Sequence, residues 1–461
     1  MTRVVVAGGG ITGLVAAREA AKAGATVTLV EPDRLGGKLR SSPFDGGVLD
    51  EAADAFLARV PEGVALCDEL GLAGELVSPA ARRAYVWSHG ALRPLPEGQV
   101  LGVPTDLDEL AASGILSATG LARVREEPTL PLTVPRGDVT IGSLMRARLG
   151  DEAAERLVDP LVGGINAGDT DQLSLAATVP QLDAALRSGH RSLIDACRAQ
   201  RSAAAEPSAP VFFAPKAGMG ALLAALVDDL RDRGVTVVSD RVVALERTTG
   251  GWSVGLAAGA ALDADGVVLT IPAPHAAEVL RPHAARSATL LSGIAYASVA
   301  MVCLAAPRAA VERDLDGSGF LVPRAERRTI TACSWTSAKW PHLAGDGTVW
   351  LRASVGRDGD DAAALALPDD AIVDAVVADL ADTMALRGRP TEARVTRWTA
   401  SLPQYRVGHL DRMDALDADL ATAMPRVVVT GAALRGLGIP ACIRQGAAAT
   451  ARVLAALDTA G

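Results

Sequence analysis

A glycine turn set between a short strand and a helix, within the first thirteen residues, constrains this chain more than any other feature. Thr2 to Ala7 is a β-branched run that predicts a buried strand, and Gly8-Gly9-Gly10-Ile11-Thr12-Gly13 follows it directly. Apolar residues at helical spacing continue to Gly24, Thr26 to Val30 reads as a second strand, and Glu31 closes it. Strand, glycine turn, helix, strand and acid in that order form the pattern of a dinucleotide-binding unit. Gly8 allows the tight turn, Gly10 lets backbone approach a pyrophosphate at the helix N-terminus, and Gly13 lets the helix pack closely on the strand. Glu31 is placed to accept hydrogen bonds from a ribose. Gly36-Gly37-Lys38 follows, and a second glycine pair here favours flavin over nicotinamide. Read alone, that pair is an ordinary loop.

At 461 residues the chain exceeds one ordinary core, so two or three domains are expected. Hydrophobic residues make up 49% and charged residues 21%, which suits a globular protein, while aromatics at 3% leave the core to Ala, Val and Leu. A net charge of -9 without a basic block argues against a nucleic-acid partner. The five cysteines (67, 197, 303, 333, 442) are widely spaced without a CxxC, which suggests neither a disulfide framework nor a metal site and fits a reducing cytoplasm. No signal peptide and no membrane-spanning run of about 18 apolar residues is expected. Peripheral contact with the inner face of a membrane stays open, as does oligomeric state.

Residues 62–81 and 106–127 read as amphipathic helices, separated by a rigid loop at Arg93-Pro94-Leu95-Pro96 and Gly102-Val103-Pro104. Gly137 to Leu149 and Asp151 to Val162 predict further helix, so about 80–205 is a mostly helical insertion, and Ser202 to Pro210 is a small-residue linker. A helix over 220–233 ends at Gly234, and strands are expected at 235–238, 242–246, 252–256 and 266–271. Runs at 290–306, 319–323, 328–336, 348–356 and 393–399, with a helix near 369–386, predict a second sheet suited to covering a substrate. Arg426 to Gly431 reads as a strand, Gly436-Leu437-Gly438-Ile439-Pro440 as a tight loop, and Ala441 to Leu457 as a helix. Its N-terminus could face a flavin ring or simply pack.

The chain resembles the oxygen-dependent protoporphyrinogen and coproporphyrinogen oxidases of the flavin amine-oxidase superfamily, most of all the Gram-positive coproporphyrinogen III oxidase type. The resemblance is carried by GGGITGL (8–14), GGKL (36–39), DPLVGGINAGDTDQLSL (159–175) and FFAPKAGMGAL (212–222). It continues in GFLVPRAERRTITACSWTSAKWPH (319–342), LRASVGRDGD (351–360), RWTASLPQYRVGHL (397–410) and GLGIPACIRQG (436–446). It implies an α/β fold with a discontinuous Rossmann-like FAD-binding domain (1–80, 205–288 and 405–461). A mostly helical insertion (81–204), a candidate for membrane association, and an α+β substrate domain (289–404) complete it.

Carried over residue by residue, Gly8, Gly9, Gly10, Ile11, Thr12, Gly13, Glu31, Gly36, Gly37 and Lys38 would hold the adenosine and diphosphate of non-covalent FAD. Val242 would contact adenine through its backbone, and Trp398, Gly436, Leu437, Gly438 and Ile439 would lie near the flavin. Ala52, Ala53, Asp54 and Ala55 stand where the family usually has a glycine before the aspartate, so a shifted loop is expected there. The implied reaction removes six electrons from a porphyrinogen, with dioxygen reoxidising the flavin to give hydrogen peroxide, in haem biosynthesis. No side-chain acid or base is required, and His409 reads as a packing or hydrogen-bonding group. Lys339, Arg352 and Arg406 are candidates for the substrate's propionates, because arginine binds carboxylates bidentately. Each could equally form a surface ion pair. Cys442 reads as a buried thiol, and Trp335 and Trp340 as core or substrate wall. The competing readings are an amine oxidase on the same scaffold and a flavin-free carrier.

Overall fold

The computed structural model describes residues 2–131, 134–203, 209–343, 345, 347–360 and 365–458. Residues 204–208 of the expected linker lie outside that set. A five-stranded parallel sheet forms from strands far apart in the chain, in the order Thr236–Val238, Thr26–Val30, Arg3–Ala7, Gly266–Leu269, Val427–Val429. The register aligns Ala7 with Val30 on one side and Leu269 on the other, and Leu269 with Val429. The residues that follow, Gly8, Glu31, Thr270 and Thr430, therefore leave one common carboxyl edge, where ligands bind in open α/β sheets.

Both faces of this sheet are covered. Leu14, Val15, Leu222, Leu226, Ile443 and Val453 pack on one side, from the helices Ile11–Lys22, Met219–Asp232 and Ile439–Asp458. Helices Ala273–Leu280, Ala285–Ser292 and His409–Ala423 cover the other through Ala276, Leu280, Leu291, Met413 and Leu416. Apart from the exposed edge strand Thr236–Val238, the strands are largely buried on both faces, which explains why they read as unbroken β-branched runs rather than alternating ones.

A seven-stranded sheet runs Glu392–Gln404, Ala295–Pro307, Thr348–Val355, Ile330–Trp335, Gly319–Leu321, Tyr85–Ser88, Ala91–Pro94. Along Ala295–Pro307 the side chains alternate. Ala300, Val302 and Leu304 pack toward the core shared with Asp369–Met384, while Cys303 and Ala305 meet Phe44, Leu49 and Trp350. The hairpin 85–94 was expected within a helical stretch. It instead joins this sheet, Phe320 pairing in parallel with Tyr85.

Three helix expectations change in detail. The span 62–81 is a helix only at Pro61–Glu69, because Gly71 turns left-handed at φ 75°, and Leu76–Val77 then pairs with Phe212–Pro215. The span 106–127 breaks into Leu107–Ser113 and Ala118–Arg125 at Gly114, also left-handed at φ 64°. Beyond Ala153 the chain winds as a wide π-helix, Ala154–Gly163, with Pro160 inside it. Proline supplies no N–H and crowds the preceding turn, so a regular α-helix is disfavoured there. The strand Ala261–Ala264 was not anticipated. Among the described residues, no helix is long and apolar enough to cross a membrane.

Candidate functional site

The glycine turn sits on the carboxyl edge of the parallel sheet. Gly8, at φ 106°, donates its N–H to the Val30 carbonyl at 2.8 Å, which ties the turn to the neighbouring strand. A Cβ added at Gly13 would stand 1.8 Å from the Gly8 carbonyl oxygen, and one at Gly8 would stand 2.5 Å from Thr270 Oγ1. Both glycines are demanded by the protein's own packing. Gly10 is different, because its φ of −72° suits any residue and an added Cβ would meet nothing within 4 Å. The opening beside Gly10, at the start of a twelve-residue helix with no side-chain cap, is the space an approaching diphosphate requires.

Around that opening the sequence-selected groups converge. Gly36 pairs with Gly10 in an isolated bridge, and its N–H donates to the Gly9 carbonyl at 2.8 Å. Glu31 accepts from the N–H groups of Gly9 at 2.6 Å and Asp33 at 3.1 Å. Val242 opens a strand just beyond Thr236–Val238, the neighbour of Thr26–Val30. Lys38 reaches across the cleft and donates Nζ to the Ser401 carbonyl at 2.5 Å, and burial lowers its pKa.

The C-terminal loop closes on the same edge. Gly431 lies beside Thr270 and Thr12, an added Cβ there coming 3.8 Å from the Thr270 carbonyl oxygen and 3.9 Å from Thr12 Oγ1. Two side chains brace the loop. Tyr405 Oη donates to the Ala432 carbonyl at 2.5 Å and accepts from Gly436 N–H at 2.8 Å. Gln445 Oε1 accepts from Arg435 N–H at 3.1 Å while its Nε2 donates to the Gly436 carbonyl at 3.1 Å. Behind Tyr405, His409 stacks with ring centroids 4.2 Å apart and donates Nε2–H to the Leu434 carbonyl at 2.7 Å. It is fully buried, and burial holds its pKa down at about 4, so it is a neutral prop. Cys442 is buried, with its pKa raised by desolvation. Tyr405 and Gln445 were not singled out from the sequence, since a lone tyrosine and a helical glutamine carry no motif.

Residues 50–54 link the two sheets. Asp50 accepts from the Met219 N–H at 3.0 Å, capping the helix Met219–Asp232. Glu51, almost fully enclosed, is held by Arg40 Nε at 2.9 Å, Ser42 Oγ at 2.6 Å and Thr396 Oγ1 at 2.9 Å. Its carbonyl accepts from Trp398 Nε1 at 3.3 Å. Ala53 and Ala55 pack against the core beside Phe56, and no residue from 50 to 57 has a positive φ. Alanines are thus accommodated there without backbone strain.

The substrate candidates fall into two groups. Lys339 Nζ at 2.8 Å and Arg352 Nη2 at 3.0 Å both converge on Asp54 Oδ2. Burial would raise the Asp54 pKa, but the two cations, Arg352 foremost, hold it well below the usual carboxylate range. Arg406 instead lies 3.2 Å from Asp358 and is 44% exposed; the Asp358 N–H in turn donates to the Ala167 carbonyl in the turn that ends the π-helix. In that turn Ala167 is left-handed at φ 44° and packs against Ala297 and Val299, with Trp398 and Leu402 alongside. Ile165 in the same turn is 66% exposed, an apolar side chain turned to solvent. Trp335 and Trp340 are buried core residues.

Residues 11–454 match the flavin containing amine oxidoreductase family. The chain is 38% identical to a coproporphyrinogen III oxidase of Bacillus subtilis, covering 98% of this chain and 97% of that one. It is also 38% identical to a coproporphyrinogen III oxidase of Mycobacterium leprae, covering 95% of each. A crystal structure from Exiguobacterium, provisionally assigned as a protoporphyrinogen oxidase, superimposes with a TM-score of 0.87 at 32% identity, covering 98% of both chains.

Proposed function

Because the chain belongs to the flavin-containing amine oxidoreductase family, we propose that it is an FAD-dependent oxidase converting coproporphyrinogen III to coproporphyrin III, with dioxygen as acceptor. Protoporphyrinogen IX is a second substrate of the same type. The carrying observation is the open edge at Gly10, enclosed by both ends of a chain that matches coproporphyrinogen III oxidases over nearly its whole length.

FAD, when bound, would supply a two-electron hydride acceptor that dioxygen can reoxidise, with hydrogen peroxide as by-product. The residues around it bind and orient. The first-turn N–H groups of Ile11–Lys22 would meet the diphosphate, and Glu31 would exchange its backbone partners for ribose hydroxyls. The braced loop 431–438 would hold the ring system, and the Trp398, Ala167 and Val299 surface would form an apolar wall for the macrocycle. Lys339 and Arg352 keep residues 52–55 in place through Asp54, and Arg406, paired with Asp358 but 44% exposed, is accessible to a propionate. A functional division follows: 1–80, 205–288 and 405–461 for the cofactor, 289–404 for the substrate, and 81–204 as the insertion with its first hairpin lent to the substrate sheet. The expected place of work is the cytoplasm.

An amine oxidase on this scaffold would normally offer a pair of aromatics facing the flavin, and tyrosine is scarce in this chain. The three tyrosines are engaged elsewhere, Tyr85 with Asp316, Tyr296 with the Ala273 N–H, and Tyr405 behind the C-terminal loop. The test is direct. Purified protein should be yellow, should turn coproporphyrinogen III fluorescent under oxygen, and should release three peroxides per porphyrin, since six electrons leave in pairs. Colourless protein that binds porphyrin without oxidising it would instead identify a carrier.

A further inference from the structure

The loop 356–360, beside the apolar wall, carries three charged residues, and two of them are explained. Asp358 holds Arg406 at 3.2 Å and Asp360 holds Arg324 at 2.6 Å. The loop backbone is pinned as well, Asp358 N–H donating to the Ala167 carbonyl at 2.7 Å and Arg324 Nη2 to the Asp358 carbonyl at 3.2 Å. Arg357, just before them in the loop, is half-buried, and among the described residues no carboxylate forms an ion pair with it. It lines a hollow with Asp159, Pro160, Gly163, Gly164 and Ala167. Burial first, then the neighbouring Arg324 charge, lowers its pKa, with the more weakly felt charges of Asp159 and Asp360 opposing them. A half-buried guanidinium with no direct ion pair keeps its hydrogen-bonding capacity for an arriving anion.

The hollow admits little. Its free volume is about 10 Å³, the room of a single water or carboxylate oxygen, not of a ring. Asp159 shares the space, with Oδ1 accepting from Thr170 Oγ1 at 3.0 Å, and burial raises its pKa toward the protonated form. The turn that forms one wall of the hollow also packs, through Ala167, on Ala297 and Val299 beside Trp398. A flat apolar disc edged by carboxylates matches this arrangement of wall and cation.

We propose that Arg357 anchors one propionate of the porphyrinogen at the mouth of this hollow while the macrocycle lies against the Ala167–Trp398 wall. The proposal rests on the porphyrinogen reading of the site. The FAD-loaded protein is titrated with coproporphyrin III and with its tetramethyl ester, following porphyrin fluorescence. Arg357→Leu should weaken coproporphyrin binding about tenfold, as loss of a charged hydrogen bond does, and leave the ester unaffected. Arg357→Lys should recover most of the loss, and FAD content should not change. Unaltered coproporphyrin affinity, or an equal loss for the ester, overturns the anchor. If the unsubstituted protein binds neither porphyrin, the substrate reading itself fails. Should Arg357→Leu not fold, Arg357→Gln is titrated in its place.

Discussion

His409 shows how much a single residue's surroundings decide. Enclosed behind Tyr405 with Nδ1 unpartnered, it stays neutral, and its folded pKa of about 4 lies below the ordinary 6.5. Between those values the unfolded chain binds more protons than the folded one, so stability rises with pH from about 4 to 6.5 and is lost on acidification. The loss approaches about 3 kcal/mol by pH 4. Melting curves across that range should therefore shift, and His409→Gln, which keeps a donor for the Leu434 carbonyl, should flatten the shift. A slope that survives the substitution would assign it to other groups. At this scale the glycines and Glu31 were legible because their spacing repeats a chemical requirement. Tyr405 and Gln445 were not, because the loop they brace lies 27 and 31 residues from the one and 9 and 10 from the other, at no spacing that forms a motif. Lys339 and Arg352 were legible as charges near the cleft, but their shared partner Asp54 lies 285 and 298 residues upstream.

Among the elements, Ile439–Asp458 does most to unite the molecule. Gly446 lets it lie against Ile11–Lys22, since an added Cβ would stand 2.4 Å from the Thr12 carbonyl oxygen. Four residues on, Thr450 Oγ1 donates to the Ala16 carbonyl at 2.9 Å. Neither helix yields without moving the glycine turn. Gly446→Val should cost about 3 kcal/mol through overpacking and lower FAD occupancy with it, as read by thermal unfolding and flavin absorbance. Retention of both would mean that the two helices separate more easily than their contacts imply. The strands of the second sheet were readable from alternation, and the helix Asp369–Met384 from periodicity. The edge hairpin 85–94 was not, because its apolar residues gain a buried face only when Gly319–Leu321 arrives alongside. The π-helix escaped for a related reason: Pro160 announces an irregularity but not whether the chain breaks or widens.

Taken as one body, the protein would hold its cofactor where three stretches of chain meet: 8–38, 236–242 and 431–439. FAD held by all three binds the folded state alone, so removing it should destabilise the whole. At a hundredfold excess over Kd, FAD contributes about 2.7 kcal/mol. Stripped protein should melt several degrees lower and recover when FAD is returned. Equal melting points would place the cofactor on a surface that folding does not assemble. The likeness to flavoenzymes was visible at the two ends of the sequence, whereas the pairing that joins those ends is a property of the sheet.

That pairing also governs how the protein is made. The fifth strand, Val427–Val429, leaves the ribosome roughly four hundred residues after the first, so the nascent chain must wait with Gly266–Leu269 as a bare edge. Until translation finishes, that edge is open to pairing with other chains. Flavin loading should then await the last strand, and a product stopped before residue 427 should emerge colourless and prone to aggregate.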